Sequence, residues 1–583
     1  MRGVLLEREV ELTAAAALLD RAGSGDGDVL LVEGVAGIGK TVLLGAVAEQ
    51  AARRGARVLR ARGGEIERES AFAVVRQLLE PPVAAASEAQ RQELLAGAAG
   101  LATAVLERDQ PRTAATPSFA TLHGLYWLTV NLSLQAPLVV MVDDVHWCDP
   151  ASARFLGYLA PRVEGLALLV VLAGRPGEPK SELRLLDELA GRARVVDPTP
   201  LSEPAVAILV GERLGVVPDP AFAKACHQAT GGNPFLADEL CATLAADGIK
   251  PTEANSGQVL KLGPRTVTRS LLLRISRLPQ VSAAVAKAVA TLGANAHQRY
   301  VAALAGLSSE ETARAADALS AIEILRPGTP LSFAHPILRE AIYADIPPGE
   351  RSTAHRRAAT LLAADDGDID LVAAHLLRVE PAADIWTTEA LRRAGSEALL
   401  HGATENAVTY LKRALQEGGA DNETRARMMY DLGTAERAIA QPAATGHLQE
   451  AIELSNDPSL RARAAADLAE LAYLLGSWTQ AIELVQDTLT GLPETSSEER
   501  MRLLTLDAAM SSYDARLVAR FDERRPAYEA VASSGSPGGR GMALLLAANG
   551  VQRGAPRETV LALTERGLDH GRFLAEYGPE AAE

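Results

Sequence analysis

The stretch "VLLVEGVAGIGKTVLL", Val29 to Leu44, decides the fold. An apolar run ends at Glu33. A turn follows through Gly34, Val35, Ala36, Gly37, Ile38 and Gly39, and Lys40, Thr41 and Val42 open a second apolar run. The spacing is G-x-x-x-x-G-K-[ST], set between a predicted strand and a predicted helix, which is the context this loop requires. Glycines let the backbone curl so that several N–H groups face inward toward phosphate oxygens. The helix that follows offers its positive N-terminal end. Lys40 then reaches the β- and γ-phosphates, and the Thr41 hydroxyl is placed to bind Mg²⁺.

About 100 residues downstream, "LVVMVDDVHW" supplies the acidic half of such a site. The run Leu138–Val142 is apolar and ends in two carboxylates. Asp143 is placed to hold the Mg²⁺ shell, and Asp144 to polarise an attacking water as general base. Read alone, the pair is equally a surface acidic turn. A third apolar run, "GLALLVVLAGRPGE", ends in Arg175, which either neutralises a γ-phosphate or pairs with a nearby carboxylate.

The first 200 residues alternate such runs with amphipathic segments. Strands are predicted at Val29–Val32, Ala56–Arg60, Leu138–Val142, Ala167–Leu172 and Arg194–Val196. Continuous apolar runs of this length suit strands covered on both faces, so a parallel sheet with helices on either side is expected. From about Pro200 the segments read as helices closed by glycine, with "KPTEANSGQ" (Lys250–Gln258) as a linker or exposed loop. Earlier in this helical region, "GGNPF" (Gly231–Phe235) places Pro234 at a helix start, which is a sufficient structural explanation; contact with adenine is the sharper one. Pro264 to Ile346 reads as several helices and then a short β-like element, "LRPGTPLSFAHP", a winged-helix pattern. His335 stands in "FAHPILREAIY" and is by itself more readily structural than ligand-binding.

Beyond about Trp386 the chain is nearly all helix and repeats. Ala407, Ala444 and Ala481 stand 37 residues apart, and Ala414 and Ala451 share that step. This is close to the tetratricopeptide period of about 34 residues and predicts a helical solenoid. "ASSGSPGGRG" (Ala532–Gly541) interrupts the pattern, and "AEYGPEAAE" ends the chain without an obvious capping helix.

A chain of 583 residues is too long for one core, and its 23% charged and 48% hydrophobic content is that of ordinary globular protein. The net charge of −16 repels phosphate backbones, and no dense Lys/Arg cluster offsets it, so DNA binding is not expected from this chain as given. Cys148, Cys226 and Cys241 have neither metal-site nor CxxC spacing and read as reduced buried thiols. No signal peptide or membrane-length apolar run is read, and a cytoplasmic location with no membrane partner is expected.

Taken in order, "LLEREVEL", "VEGVAGIGKTVLL", "ERESAFAVVRQLLEP", "VDDVHWCDPAS", "AGRPGE", "ATGGNPFLADEL" and "FAHPILREAIY" resemble the large ATP-binding LuxR-type regulators, relatives of MalT in the STAND class of P-loop ATPases. The resemblance covers about residues 3–360, with a looser helical-repeat match beyond. It implies a P-loop nucleotide-binding domain at 1–199, a helical lid at 200–262, a winged-helix-like domain at 263–346, a helical linker at 347–385 and TPR-like repeats at 386–583. It implies ATP or ADP with Mg²⁺ as cofactors, slow hydrolysis, self-association in the ATP state, and an inducer of unknown kind at the repeats. By motif position it assigns the phosphate loop to Lys40 and Thr41, the acidic pair to Asp143 and Asp144, a sensor arginine to Arg175, adenine packing to Pro234, and a site near the β-phosphate to His335. Arg8 resembles the arginine of an amino-terminal "GRE" element, with Glu7 in place of its glycine. No helix-turn-helix is read before Glu583, so the chain is expected to be a fragment or a short form acting through another protein. The competing expectations are a helical-repeat scaffold with a vestigial nucleotide domain and a mechanical ATPase working in a ring.

Overall fold

The computed structural model describes residues 5–106, 118–175, 191, 193–261, 279–322, 324–365, 367–493, 497–513 and 517–569. All five predicted strands form, as β1 (Asp28–Glu33), β2 (Arg57–Arg62), β3 (Leu138–Asp143), β4 (Leu168–Gly174) and β5 (Arg194–Val196). They make one sheet in the order β2-β3-β4-β1-β5, and each pairing is parallel. Parallel neighbours need crossover connections, which is why helix-length segments separate the strands. Every residue of β3 and β4 is buried. On one face, Ala15, Leu18 and Leu19 of α1 (Glu9–Gly23) and Leu43, Leu44 and Val47 of α2 (Lys40–Arg53) pack on Leu30, Val32, Met141 and Val171.

This order brings the carboxyl ends of β1, β4 and β3 side by side. In doubly wound sheets that edge is where ligands bind. The glycine loop leaves β1, Arg175 follows β4, and Asp143 ends β3. The β2–β3 register sets Arg62 directly beside Asp143.

After the sheet come α3 (Glu203–Leu214), α4 (Pro220–Thr230) and α5 (Pro234–Ala246), around a core of Val206, Val210, Phe222, Cys226, Leu240, Cys241 and Leu244. All three cysteines are buried and none is in a disulfide, and burial pushes the Cys226 and Cys241 thiols up to about 12. The expected Lys250–Gln258 loop is shorter than read: a helical turn at Glu253–Asn255 and a helix from Ser256 fill most of it, the Glu253 amide donating to Asp219. Three helices, α6 (Gln280–Leu292), α7 (Gln298–Ala305) and α8 (Ser309–Ala321), precede an antiparallel pair, β6 (Leu325–Arg326) and β7 (Ser332–Phe333), and then α9 (Pro336–Asp345). The start of the predicted winged-helix stretch, residues 263–278, lies outside the described residues, as does the chain end from residue 570.

Two compact units divide the chain, one of Met1–Glu380 with Leu400–Asn406, the other of Pro381–Leu399 with Ala407–Glu583. From Ala407 on, the second holds consecutive helices that pack on one another: most of α10 (Thr404–Glu417), then α11 (Asn422–Ala438), α12 (Ala444–Leu454), α13 (Pro458–Leu474), α14 (Trp478–Gly491) and α15 (Ser497–Tyr513). The predicted repeat alanines Ala407, Ala414, Ala444, Ala451 and Ala481 are all fully buried. Gly433 serves the same close approach, since a Cβ there would stand 2.7 Å from Leu448. The interruption at Ala532–Gly541 is only a turn: Ser536 accepts from the Gly539 amide and caps a helix that runs from Pro537 to Gln552. A cap followed by proline at the first helical position starts a helix rather than ending the repeat. Among the described residues, no helix is long and apolar enough to cross a membrane.

Candidate functional site

Gly37 and Gly39 carry φ angles of +80° and +102°, the left-handed conformations the turn needs. They curl the loop so that α2 starts at Lys40 with neither a side-chain cap nor an acidic residue in its first turn. Its first amides are therefore left for an anion. Lys40 is buried, and its Nζ donates to the carbonyls of Gly34 (2.6 Å) and Val35 (3.1 Å). Burial holds its ammonium below the usual lysine value, against the attraction of Asp144.

The Thr41 hydroxyl donates to Asp143 Oδ2 at 2.7 Å, although 102 residues separate them. Asp143 Oδ1 accepts from the Asp144 amide at 3.0 Å. Burial and the adjacent Asp144 raise the Asp143 carboxyl above its ordinary value. Asp144 goes the other way: burial opposes its charge, but Arg62 holds it below the usual range. Arg62 grips a single oxygen, Asp144 Oδ2, with Nε at 3.0 Å and Nη2 at 2.8 Å. The Asp144 backbone has φ +50°, a left-handed conformation uncommon outside glycine and a form of strain seen at functional sites. Arg175 pairs with Glu340 of α9 at 2.8 Å, so both readings of that arginine stay in play: it stands at the tip of β4 and it is held by a carboxylate.

"GGNPF" reaches the glycine loop itself. Asn233 caps α5, with Pro234 at the first helical position, and its Nδ2 donates to the Ala36 carbonyl at 2.9 Å. The Phe235 amide donates to the Gly37 carbonyl at 3.3 Å. A Cβ on Gly37 would stand 2.7 Å from Asn233 Oδ1, so glycine is required twice over, by φ and by this approach. His335 caps α9 through Nδ1, which accepts from the Ile337 amide, and its ring stacks on Phe235 with centroids 3.8 Å apart. Burial, with Arg62 and Arg175 adding to it, pushes His335 down to about 3, so it is neutral.

These pieces enclose a cleft of about 420 Å³. Leu5, Leu6, Leu201, Leu209 and Pro234 give it apolar walls, Gly37, Gly39 and Val42 its loop side, and Arg8 and His335 line it as well. Arg8 is buried and donates to the carbonyls of Ile38 (3.1 Å) and Thr199 (2.8 Å), tying the amino-terminal arm to the loop. Glu7 has φ +54°, the conformation a glycine adopts easily, and its carboxylate accepts from Ser202. That bond explains how a non-glycine residue is held there.

The structure thus brings Gly34 to Val42, Asp143, Asp144 and Arg175 to one sheet edge and sets Pro234 and His335 on the adjoining cleft. The donor set fits the expected groups. An uncapped helix start and a lysine suit phosphates, an apolar cleft suits a base, and a hydroxyl converging on a carboxylate supplies the hard oxygens Mg²⁺ takes. Sequence reasoning missed Arg62, Asn233, Phe235 and Glu340. Arg62 ends "RVLRAR", where three arginines recur along an outer strand and none stands out. Asn233 and Phe235 lay inside a motif read only for its proline.

Comparison with known proteins finds a family match over the amino-terminal domain. Residues 4–171 match the family described as AAA ATPase domain. An uncharacterized protein of Rhizobium meliloti (strain 1021) is 26% identical over 503 residues, 79% of this chain, and the match spans 47% of that relative's length. Among solved structures, the STAND protein with a tetratricopeptide repeat sensor from Pyrococcus horikoshii is similar over 98% of this chain and 97% of its own, at 14% identity and a TM-score of 0.43. The Aeropyrum pernix Orc1 protein in complex with DNA is similar over 59% of this chain and 93% of its own, at 15% identity and a TM-score of 0.28. Structural likeness at such scores assigns no residue a role. The chain carries a P-loop ATPase domain of the AAA type, followed by a mostly helical, solenoid-like region.

Proposed function

We propose that this chain is a nucleotide-controlled signalling switch of the STAND kind, the ATP- or ADP-binding core of a LuxR-type regulator. One observation carries the reading: the Lys40 loop, the Thr41–Asp143 pair and the apolar cleft meet at one sheet edge, and Asn233 and Phe235 hydrogen-bond the loop from the helices that follow. A region bonded directly to the loop responds to what the loop holds.

Lys40 and the α2 amides would hold the phosphates, Thr41 and Asp143 the Mg²⁺, and the cleft at Pro234 the base. Bound Mg²⁺ neutralises charge that develops on the phosphate oxygens. Three contacts keep the site from working as found. Lys40 bonds the loop's own carbonyls, Arg62 restrains Asp144, and Glu340 restrains Arg175. Each must exchange partners before Asp144 accepts a proton from water and Arg175 meets terminal-phosphate charge. Such a site turns over slowly, which suits a switch better than a metabolic or mechanical ATPase. Self-association in the ATP state, an inducer at the repeats and an output in transcription complete the proposal.

Isothermal calorimetry with ADP and ATP plus Mg²⁺ tests it. Wild type is expected to bind both, and Lys40→Ala to lose that binding. Equal affinity in Lys40→Ala contradicts the proposal. A wild type that neither binds nor gains thermal stability from ADP and Mg²⁺ is the scaffold with a vestigial domain.

A further inference from the structure

His146 lies two residues after Asp144, in the single helical turn Val145–Trp147 at the end of β3. Its side chain is 1% exposed, yet neither Nδ1 nor Nε2 has a hydrogen-bond partner among the described residues. A neutral imidazole carries one donor and one acceptor, and burying both unpaired is unfavourable. The ring lies tilted against Trp147 at 5.5 Å, which accounts for its carbons and not for its nitrogens. The charges that act on it are those of the phosphate site: Asp144 most strongly, then Arg175, Lys40 and Arg62. Burial pushes it down to about 4, so the ring stays neutral near pH 7 and keeps an N–H to give.

Asp144 is half of the explanation. Arg62 holds it through Oδ2 alone, so the carboxylate has a second oxygen to commit. We propose that His146 is the positioning residue for Asp144: when Arg62 lets go, the imidazole donates its N–H to one carboxylate oxygen and aims the other at the attacking water. Asp144 then takes a proton from that water as its oxygen bonds to the terminal phosphorus and the bond to the diphosphate leaving group breaks, giving ADP and phosphate. The buried ring is thus kept without a partner in the resting state so that it has one to offer in the working state. This inference rests on the nucleotide-switch reading and deepens it.

The test uses the full chain and steady-state ATP hydrolysis, with Lys40→Ala as the blank. Arg62→Gln is expected to raise kcat by about threefold or more by freeing Asp144. His146→Leu is expected to lower kcat about tenfold with KM changed less than about twofold, and to remove the gain from Arg62→Gln when the two are combined. His146→Gln, which keeps a donor, is expected to restore most of the rate. In the nucleotide-free protein, His146→Leu is expected to raise Tm by about 2 °C, because an unpaired polar group has gone. A raised Tm with unchanged kcat, or full gain from Arg62→Gln in the His146→Leu background, overturns the inference while leaving nucleotide binding intact. Failure of both His146→Leu and His146→Ala to fold also overturns it, since a partnerless ring should be dispensable to the fold. Wild type that hydrolyses no faster than Lys40→Ala overturns the switch reading itself.

Discussion

The sheet edge and the solenoid both bury carboxylates, and they treat them differently. In the solenoid, Asp507 accepts from Arg520 (2.8 Å), Arg524 (3.0 Å) and Tyr528 (2.7 Å). Asp467 accepts from Thr434 and Arg502, with Arg437 at 3.3 Å. Among the described residues at the sheet edge, Asp144 has one hydrogen-bonded arginine on one oxygen and a left-handed backbone, and the His146 ring beside it has no hydrogen-bond partner. Buried charge with several partners fixes one arrangement. Buried charge with few leaves a second arrangement within reach, and that is what a switch requires.

The strongest way to break this comparison is to remove one carboxylate from each region. Asp507→Ala leaves two guanidinium groups and a phenol without their shared acceptor. It is expected to destabilise by about 3 kcal/mol or more in urea unfolding. Asp144→Ala frees Arg62, whose side chain is 38% exposed and finds water, so it is expected to cost less than about 1 kcal/mol while abolishing hydrolysis. Equal losses of stability would mean that the two regions do not differ in kind.

What the sequence made legible follows the same division. Strand ends, the glycine loop and the alanine period are local patterns, since each follows from burial or backbone freedom within a few residues. Lys40, Thr41 and Asp143 belong to such patterns, and Thr41 meets Asp143 at 2.7 Å. Arg62, Glu340 and His146 matter because of pairings across 82 and 165 residues, or because a pairing is missing. Periodicity carries no such information. The Lys250–Gln258 and Ala532–Gly541 stretches misled for the opposite reason: Ser, Gly and Pro start helices as well as end them.

A second test comes from pH. In the first compact unit, Tyr343 Oη lies 2.7 Å from His355 Nε2, and His355 Nδ1 lies 2.8 Å from His375 Nδ1. The two facing nitrogens hold one proton between them, and Arg378, Arg339 and Arg351 stand nearby. Burial pushes His355 down to about 2 and His375 to about 3, from an ordinary 6.5. Depressed folded values mean that the unfolded chain binds more protons below pH 6.5, so the stabilising effect is whole above that pH and falls away as pH drops toward 3. Each histidine adds up to about 1.4 kcal/mol per pH unit to the slope over that window. Unfolding followed from pH 7.5 to 4.5 is expected to show this, and His355→Phe with His375→Leu to reduce it, the remainder coming from groups such as His146 and His335. An unchanged slope in the double variant would assign the acid sensitivity elsewhere.

The smallest expected effect probes the restraint on Arg175. Glu340 is 41% exposed and sits on α9, so its ion pair adds little to stability. Its interest lies in competition, because Glu340 and a terminal phosphate would draw on the same guanidinium. Arg175 Nε is buried without a partner among the described residues, so this side chain too has a bond left to make. Glu340→Gln is expected to leave Tm unchanged and to raise the ratio of ATP to ADP affinity by about threefold, read by competition calorimetry. A lower Tm with an unchanged ratio would place the pair with Asp507 and Asp467, as a contact that holds the fold and carries no signal.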